Sequence, residues 1–351
     1  MRITRLTNRQ LTSTYLFNAN HNLEKFSKQQ EKLATGRAYT RASQNVPSAR
    51  KALQARTEMY RNEQYQRNVD AVVAQYDAAE GTLTEISDQV QNVHSLILKA
   101  VNGTNNDETS RNIFSETLQQ TKDGVLKSLN AVNLDKYILG GVNNKTTPYT
   151  LDEAGNLFFN GVNVDDISFT DGVYLDENGN QVPLSKETYI DIGLGLRMHG
   201  DNFNKDTAFQ MSFSGIAWTG YGISEINYTD KNGDEVTEEV SNNVYQIMSS
   251  MQEALEENDM NRLGALNDHM KKQYDTILKG IAELGVRAKK LEVSKLELGD
   301  ANVRIAEMQK TFEGIEDTDE IVAMEEYNYA WNLTLKFGAN LLPQSLMDYI
   351  K

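Results

Sequence analysis

This sequence contains no cysteine, which excludes disulfide bonds and thiolate chemistry. Its four prolines, at positions 47, 148, 183 and 343, lie outside stretches with helical periodicity, so long helices can run without interruption. There is no run of about 18 apolar residues, and the opening "MRITRLTNRQL" lacks the apolar core of a secretory signal. The sequence therefore predicts no membrane insertion and no ordinary secretory signal peptide.

Patterns that carry catalysis or ligand binding are also missing. The four histidines, His21, His94, His199 and His269, stand apart from one another and have no metal-ligand spacing. The adjacent glycines of "LGGVNN" at 139–144 lack the lysine that a phosphate-binding loop requires. We therefore expect no enzyme activity, no cofactor and no metal, and we interpret His94 as a solvated or flanking residue of a helix.

Two acidic segments weakly resemble calcium loops. "DENGNQVPLSKE" has Asp176 in the first position and Glu187 in the twelfth, but Gln181 stands where the sharp turn of such a loop needs glycine. "DKNGDE" begins at Asp230 and has Ser241 in the twelfth position. We interpret both segments as acidic hairpin turns.

The net charge of −15 is unevenly distributed. Residues 1–56 carry 11 basic and 2 acidic residues, whereas residues 145–240 carry 17 acidic and 5 basic ones. Residues 313–351 are also acidic, with 8 acidic and 2 basic residues. A basic N-terminal region can indicate nucleic-acid binding, but the opposite charge of the two ends favours pairing of these ends with each other.

Helical periodicity dominates up to about residue 140. Gly36 suits the left-handed position after a first helix, and Asn45 is expected to cap a second helix that starts near Pro47. The first heptad stripe comprises Leu16, Ala19, Leu23, Phe26, Gln30 and Leu33. The second helix has nine consecutive apolar heptad positions: Val72, Tyr76, Ala79, Leu83, Ile86, Val90, Val93, Ile97 and Ala100. A third helix is predicted to carry Phe114, Leu118, Val125, Leu129 and Val132 on one face.

Residues 141–240 change character, because Asn-Gly and Asp-rich turns separate short apolar runs that predict β-hairpins. Helical stripes resume after Ser241, although Gly280, Gly285 and Gly299 weaken the prediction of one unbroken helix. Asp317 and Glu320 have capping-box spacing at the start of a last helix.

We therefore predict a mainly α fold with a β insertion: a long antiparallel helical bundle or coiled coil formed by the N- and C-terminal segments, plus a small middle β domain. Its predicted segments are 1–45 (N-terminal helix and corner), 46–140 (long-helix bundle, N-terminal half), 141–240 (acidic β insertion), 241–315 (long-helix bundle, C-terminal half) and 316–351 (C-terminal helix). The terminal helices carry apolar residues without an obvious partner inside the chain. This favours a partner chain, or disorder of the ends until one arrives.

The stretch "KLATGRAYTRASQNVPSARKAL", residues 32–53, has several basic residues and no acidic one. One glycine gives weak support for an anion-binding loop, so a corner between two helices is the commoner interpretation.

This stretch and the C-terminal "IEDTDEIVAMEEYNYAWNLTLKFGANLLPQSLMDYIK" resemble the conserved ends of bacterial flagellins and hook-associated proteins. The resemblance covers about residues 1–150 and 240–351. Two segments, "YILGGVNNKTTPY" at 137–149 and the tail "QSLMDYIK", are similar to the hook-associated protein 3 group. Gln44 and Asn45 depart from the family pattern, which has a pair of aspartates before the corner proline.

The resemblance implies a structural component of the extracellular flagellum at the hook–filament junction, exported by the type III apparatus without a cleaved signal. It implies hook-associated protein 1, flagellin, further copies of the chain in a ring and an export chaperone as partners, with no nucleic acid. The expected subunit-interface residues are Leu16, Leu23, Phe26, Leu33, Met324, Trp331, Leu335 and Leu342. The expected corner residues are Gly36, Arg37, Arg41, Asn45 and Pro47.

Three other interpretations stay open from the sequence. A flagellin filament subunit is the alternative within the same class of protein. A cytosolic coiled-coil adaptor would accumulate inside the cell. An enzyme that acts through the acidic middle domain would need converging polar groups, which the sequence does not display.

Overall fold

The computed structural model of the chain is mainly helical and has small antiparallel sheets in its middle part. It describes residues 8–101, 107–142, 145–183, 188–193, 198–199, 202–203, 209–230 and 233–341. The α-helices are α1 (Asn8–Thr35), α2 (Val46–Val101), α3 (Glu108–Leu129), α4 (Ile216–Thr219), α5 (Val244–Glu256), α6 (Met260–Glu313) and α7 (Asp317–Leu341). Short 3₁₀ turns cover Ala42–Gln44 and Val164–Asp166. The predicted fold class, long N- and C-terminal helices with a middle β region, is confirmed.

The strands are short, and each pairs antiparallel with a strand nearby in sequence, apart from one longer connection. Their bounds are β1 (Val132–Asn133), β2 (Lys136–Tyr137), β3 (Tyr149–Leu151), β4 (Leu157–Phe159), β5 (Val162–Asn163), β6 (Ser168–Thr170), β7 (Val173–Leu175), β8 (Tyr189–Ile190), β9 (Met198–His199), β10 (Asn202–Phe203), β11 (Phe209–Gln210), β12 (Ile223–Thr229) and β13 (Glu235–Ser241). The pairs are β1–β2, β3–β4–β5, β6–β7, β8–β11, β9–β10 and β12–β13. The predicted hairpins in residues 141–240 are therefore confirmed.

The chain divides into two compact units, which we call the terminal unit (1–63 and 299–351) and the central unit (64–298). The main hydrophobic core lies in the central unit. All nine apolar heptad positions of α2, from Val72 to Ala100, are buried there, as the periodicity predicts. The apolar faces of α3, α5, α6 and the hairpins complete this core.

Helix α6 is one unbroken helix of 54 residues, although Gly280, Gly285 and Gly299 weakened this prediction. Gly280 is needed for packing, because a Cβ at this position would collide with the indole of Trp218 from α4. Gly264, by contrast, has nothing within 4 Å of the position of a Cβ. The low helix propensity of glycine does not interrupt α6. At Gly280, the absence of a side chain also allows the indole of Trp218 to pack closely against the helix.

Two local predictions are wrong. Val132 is not on the apolar face of α3, because the helix ends at Leu129 and Val132 lies in β1 with 53% of its surface exposed. Asp317 is the first residue of α7, and the Glu316 carbonyl accepts the first hydrogen bond of that helix, from Glu320. The Glu320 side chain contacts α1, as described below.

In their described residues, the segments that weakly resemble calcium loops form turns. Asp176 Oδ1 accepts hydrogen bonds from the backbone N–H groups of Asn178 (3.0 Å) and Asn180 (2.7 Å). Asp230 Oδ1 accepts one from the N–H of Asp234 at 2.9 Å. Each aspartate side chain therefore stabilises its own turn by accepting hydrogen bonds from backbone N–H groups, as in an Asx turn.

Candidate subunit interface in the terminal unit

Helices α1 and α7 pack antiparallel in the terminal unit. The side-chain amide of Asn22 donates a hydrogen bond to Thr334 Oγ1 at 2.8 Å. Further along, the amide of Gln29 donates to the backbone carbonyl of Glu320 at 2.8 Å and also to its carboxylate. Lys32 Nζ lies 3.4 Å from the same carboxylate. The basic N-terminal segment and the acidic C-terminal segment thus meet, as the charge distribution predicts.

Small and polar residues form the surface on which α1 and α7 meet, which we call the seam. Tyr15, Ala19 and Asn22 follow one another at steps of four and three, so they share one face of α1. Ala19 is buried. Gly338 of α7 is also buried, and a Cβ there would collide with the phenol of Tyr15. The seam therefore allows close helix approach but covers few large apolar side chains.

Large apolar side chains lie exposed outside the seam. They are Leu11, Leu16, Phe17 and Leu23 on α1 and Ile321, Val322, Tyr329, Leu335 and Phe337 on α7. The parts of α2 and α6 that belong to this unit expose Val46, Leu53, Tyr60, Val303 and Met308. Within the described residues of the terminal unit, the buried hydrophobic residues are Ala19, Ala52 and Ala55. Since burying one large apolar side chain contributes roughly 1.5–3 kcal/mol, these surfaces favour further packing.

The structure places the predicted interface residues at different depths. Leu16 is 53% exposed, Leu23 43% and Leu335 46%. Phe26, Leu33, Met324 and Trp331 are partly buried, and Leu342 lies outside the described residues. Their role in subunit contacts stays a prediction.

The heptad pattern missed several exposed aromatic residues. Phe17, Tyr329 and Phe337 have 72%, 67% and 61% of their surfaces exposed. They lie beside the predicted stripes, so a search restricted to one stripe per helix passes over them. A search for aromatic residues off the stripe would have found them, because such residues are enriched at interfaces.

The corner between α1 and α2 joins the end of α6. Gly36 ends α1 with φ +65°, in the left-handed region, as the sequence predicts. Arg37 then forms an antiparallel backbone bridge with Gly314, and the N–H of Ala38 donates to the carbonyl of Glu313 at 2.8 Å. The chain is therefore held to α6 directly after α1 ends.

The side chain of Glu313 is the charged centre of this corner. Both of its carboxylate oxygens accept hydrogen bonds from the guanidinium of Arg56, and 13% of the Glu313 side chain is exposed. Burial, together with the nearby carboxylate of Glu313, raises the pKa of Tyr39. Lys51 Nζ lies 5.0 Å from the ring centroid of Phe312. Arg56 and Lys51 of α2 thus meet a carboxylate and an aromatic ring of α6.

Gln44 and Asn45, which stand where the family has aspartates, act as hydrogen-bond acceptors. Gln44 Oε1 accepts from the N–H groups of Thr40 (2.9 Å) and Arg41 (3.3 Å). Asn45 Oδ1 accepts from the N–H of Ser48 at 3.2 Å, which caps α2 as the sequence predicts. Pro47 lies in the first turn of α2. At both positions, a neutral side-chain oxygen therefore accepts the backbone hydrogen bonds, and no negative charge is required for them.

Among the described residues, no group of three or more histidine, aspartate or glutamate side chains is arranged to hold a metal ion. In the same part of the chain, no helix combines the length and apolar character that crossing a membrane requires. His94 is part of a polar contact, since its Nδ1 lies 2.9 Å from Asn267 Oδ1.

The comparison with protein families identifies the helical region that contains α1, α2 and α3. The sequence model described as the bacterial flagellin N-terminal helical region matches residues 7–143. Residues 7–143 are therefore similar to the N-terminal helical region of bacterial flagellins. For these residues, the match confirms the resemblance inferred from the corner and its flanking helices. No protein with a curated description matches the sequence.

Solved structures with the same fold come from flagellar proteins. A flagellar hook-associated protein from Vibrio parahaemolyticus has 15% identity and a TM-score of 0.55, over 77% of this chain and 100% of that one. Hook-associated protein 3 from Legionella pneumophila has 12% identity and a TM-score of 0.53, over 74% and 98%. FlgL from Xanthomonas campestris has 12% identity and a TM-score of 0.50, over 74% and 99%. The fold of this chain is thus similar to the fold of these flagellar proteins.

Proposed function

We propose that this protein is a structural component of the hook–filament junction of the bacterial flagellum. The observation that carries this proposal is the terminal unit, whose α1–α7 seam is small and polar while large apolar side chains lie exposed on both helices. The flagellin-family match of residues 7–143 supports the flagellar assignment. The likeness of the fold to hook-associated proteins favours the junction over the filament.

In this proposal, neighbouring copies of the chain cover the exposed faces of α1 and α7. Leu16, Leu23 and Leu335 would pack against other subunits, and the partly buried Phe26 and Trp331 would extend the same contacts. Burial of these side chains supplies the free energy of assembly. The seam fixes the orientation of the two helices before further packing occurs.

The partners follow from this position in the flagellum. Hook-associated protein 1 would contact one side of a ring of these subunits, and flagellin would contact the other. Delivery by an export chaperone and the type III apparatus belongs to the same proposal. The five predicted segments keep their assigned roles: the terminal helices form the inner contacts, and the acidic insertion at 141–240 faces solvent.

A flagellin filament subunit is the second candidate, because the matching family model is described as a flagellin region. The two functions differ in what the loss of the protein does to the cell. Loss of a junction protein leaves hooks in place and releases flagellin monomers into the medium. Loss of the filament subunit leaves hooks without any released filament protein.

The test is deletion of the gene, electron microscopy of the cells and analysis of the culture medium. We expect bare hooks together with flagellin in the medium, and restoration of filaments by the intact gene. Bare hooks with no flagellin in the medium would instead identify the chain as the filament subunit. Normal filaments in the deletion strain, or an intracellular pool without export, would contradict both candidates.

A further inference from the structure

Helix α2 carries an exposed apolar stripe at its N-terminal end, in the terminal unit. Val46, Leu53 and Tyr60 have 63%, 62% and 68% of their surfaces exposed. Together with Arg50 and Thr57 they follow one another at steps of four and three, so they share one face of the helix. We call these five residues the α2 stripe. Because large apolar side chains are unfavourable in water, this face favours a packing partner.

The α2 stripe lies opposite the face of α2 that packs against α6. Ala55 is buried and stands nine positions after Val46, which is about two and a half turns and therefore the other side of the helix. Asn62 lies on the same side as Ala55, and its amide donates a hydrogen bond to Asn302 Oδ1 of α6 at 2.8 Å. Packing against α6 therefore leaves the α2 stripe exposed.

A second exposed stripe runs along α7. Val322, Glu326 and Tyr329 follow one another at steps of four and three, and all three are exposed. Tyr329 stands nine positions after Glu320, which contacts α1, so it lies on the other side of the helix. We call Val322, Glu325, Glu326 and Tyr329 the α7 stripe.

The two stripes carry opposite charge. Arg50 is part of the α2 stripe, and Arg61 lies about three turns further along the same side of α2. Glu325 and Glu326 are the charged residues of the α7 stripe. Among the described residues, none of these four exposed side chains forms an ion pair. They are therefore available to pair with charges on another molecule.

We propose that the α2 stripe of one copy packs against the α7 stripe of a second copy of this chain. Leu53 and Tyr329 then lie within the contact, and the arginines of α2 pair with the glutamates of α7. This inference rests on the proposed function, because it names two of the faces through which copies of the chain assemble. It adds the start of α2 to the contacts of α1 and α7.

A second copy is the partner because the terminal unit presents both complementary stripes. Both are exposed, so they do not cover each other within one chain. A contact between two different faces of identical chains leaves one stripe free on each side of a pair, so it builds a ring or a helical array rather than a closed dimer. Pairing of α2 with α2, or of α7 with α7, would bring like charges together.

The test is chemical crosslinking of the full chain, which is specific because the sequence has no cysteine. A Leu53→Cys chain, the α2-labelled chain, is mixed with a differently tagged Tyr329→Cys chain, the α7-labelled chain, and treated with a bismaleimide. We expect crosslinked pairs of unlike chains to exceed pairs of like chains, and their yield to fall as salt is added. The matched control uses Val293→Cys, an exposed position of the central unit, in place of Tyr329→Cys and should give only the background yield.

Charge reversal tests the pairing itself. Arg50→Glu/Arg61→Glu in the α2-labelled chain should lower the yield at least about fivefold, because two attractive pairs become repulsive. Adding Glu325→Arg/Glu326→Arg to the α7-labelled chain should restore most of the yield. All four positions are exposed, so the melting temperature of each variant should stay within about 2 °C of that of its parent chain.

Three outcomes would overturn the proposal. The first is a yield equal to that of the control pair or unaffected by charge reversal. The second is an excess of like-chain pairs, because each stripe would then meet its own kind. The third is crosslinking within a single chain that carries both cysteines, at high dilution, because α7 would then cover α2 in the same molecule.

The crosslinking result and the deletion test can fail separately. Background crosslinking together with bare hooks and released flagellin would leave the junction function in place and remove this pairing of faces. Specific crosslinking together with normal filaments in the deletion strain would keep the contact between copies and remove the junction function.

Discussion

Gly338 of α7 lies against the phenol of Tyr15 of α1, with no space for a side chain at the glycine. This contact fixes how closely the two terminal helices approach each other. It also explains why a helix rich in large apolar residues has a glycine near its end.

We expect Gly338→Ala to loosen the α1–α7 pair, because the added methyl group collides with the Tyr15 ring. Overpacking of this kind costs about 1–3 kcal/mol. Limited proteolysis of the terminal helices measures the effect. In a double-mutant cycle, Tyr15→Ala should make the loss from Gly338→Ala clearly smaller. Strictly additive losses from the two substitutions would contradict the contact.

Gly280→Ala should destabilise the central unit by about 1–3 kcal/mol, because the new Cβ meets the indole of Trp218. The matched control is Gly264→Ala on the same helix, where nothing lies within 4 Å of the added Cβ. That control should stabilise the unit by up to about 1 kcal/mol through helix propensity. Urea unfolding followed by Trp218 fluorescence, in a Trp331→Phe background, measures both. Equal effects of the two substitutions would refute the packing role of Gly280.

Asn45→Ala should destabilise the start of α2 by about 1 kcal/mol, because the side-chain acceptor for the Ser48 N–H is lost. Asn45→Asp keeps the acceptor and should match the unchanged protein or exceed its stability by a few tenths of a kcal/mol through the helix dipole. Thermal unfolding monitored by circular dichroism compares the two variants. A large loss in Asn45→Asp would show that the amide group itself is required.

The stability of the central unit should fall as the pH drops below 6.5. Burial lowers the pKa of His269 from 6.5, while its Nε2 lies 3.1 Å from the Ser241 carbonyl. The unfolded chain therefore takes up the proton at a higher pH than the folded chain, so protonation favours unfolding. We expect His269→Gln to remove this part of the pH dependence between pH 7.5 and 5. An unchanged slope of melting temperature against pH in that variant would contradict the assignment.

The sequence predicted the central unit better than the terminal one. The nine apolar positions from Val72 to Ala100 form a single stripe along α2. Because the helix has only one apolar face, the sequence identifies the face that is buried. In α1, large apolar residues occur on several faces, while the surface toward α7 uses Asn22 and Gln29. Periodicity of apolar residues cannot identify a seam built from amides, so the sequence predicted unpartnered apolar residues on the terminal helices but not the face on which α1 and α7 meet.

Contacts between distant residues were beyond the sequence for a related reason. The charge distribution predicted that basic and acidic ends meet, but the particular pairs Lys32–Glu320 and Arg56–Glu313 depend on the register of the helices. From the sequence, Gly280 appears only as a residue that weakens a helix, because its packing against Trp218 depends on the tertiary structure.

The most direct measurement of the central claim is filament attachment in a deletion strain that carries the variant Leu16→Ser/Leu23→Ser/Leu335→Ser. These side chains are exposed in the isolated chain, so we expect the melting temperature to stay within about 2 °C, in line with the small effects of surface substitutions. Electron microscopy should show hooks without filaments. The matched control, Val286→Ser/Val293→Ser/Leu296→Ser, replaces exposed residues of the central unit and should restore filaments. Normal filaments with the terminal-unit variant would contradict assembly through the exposed faces of α1 and α7.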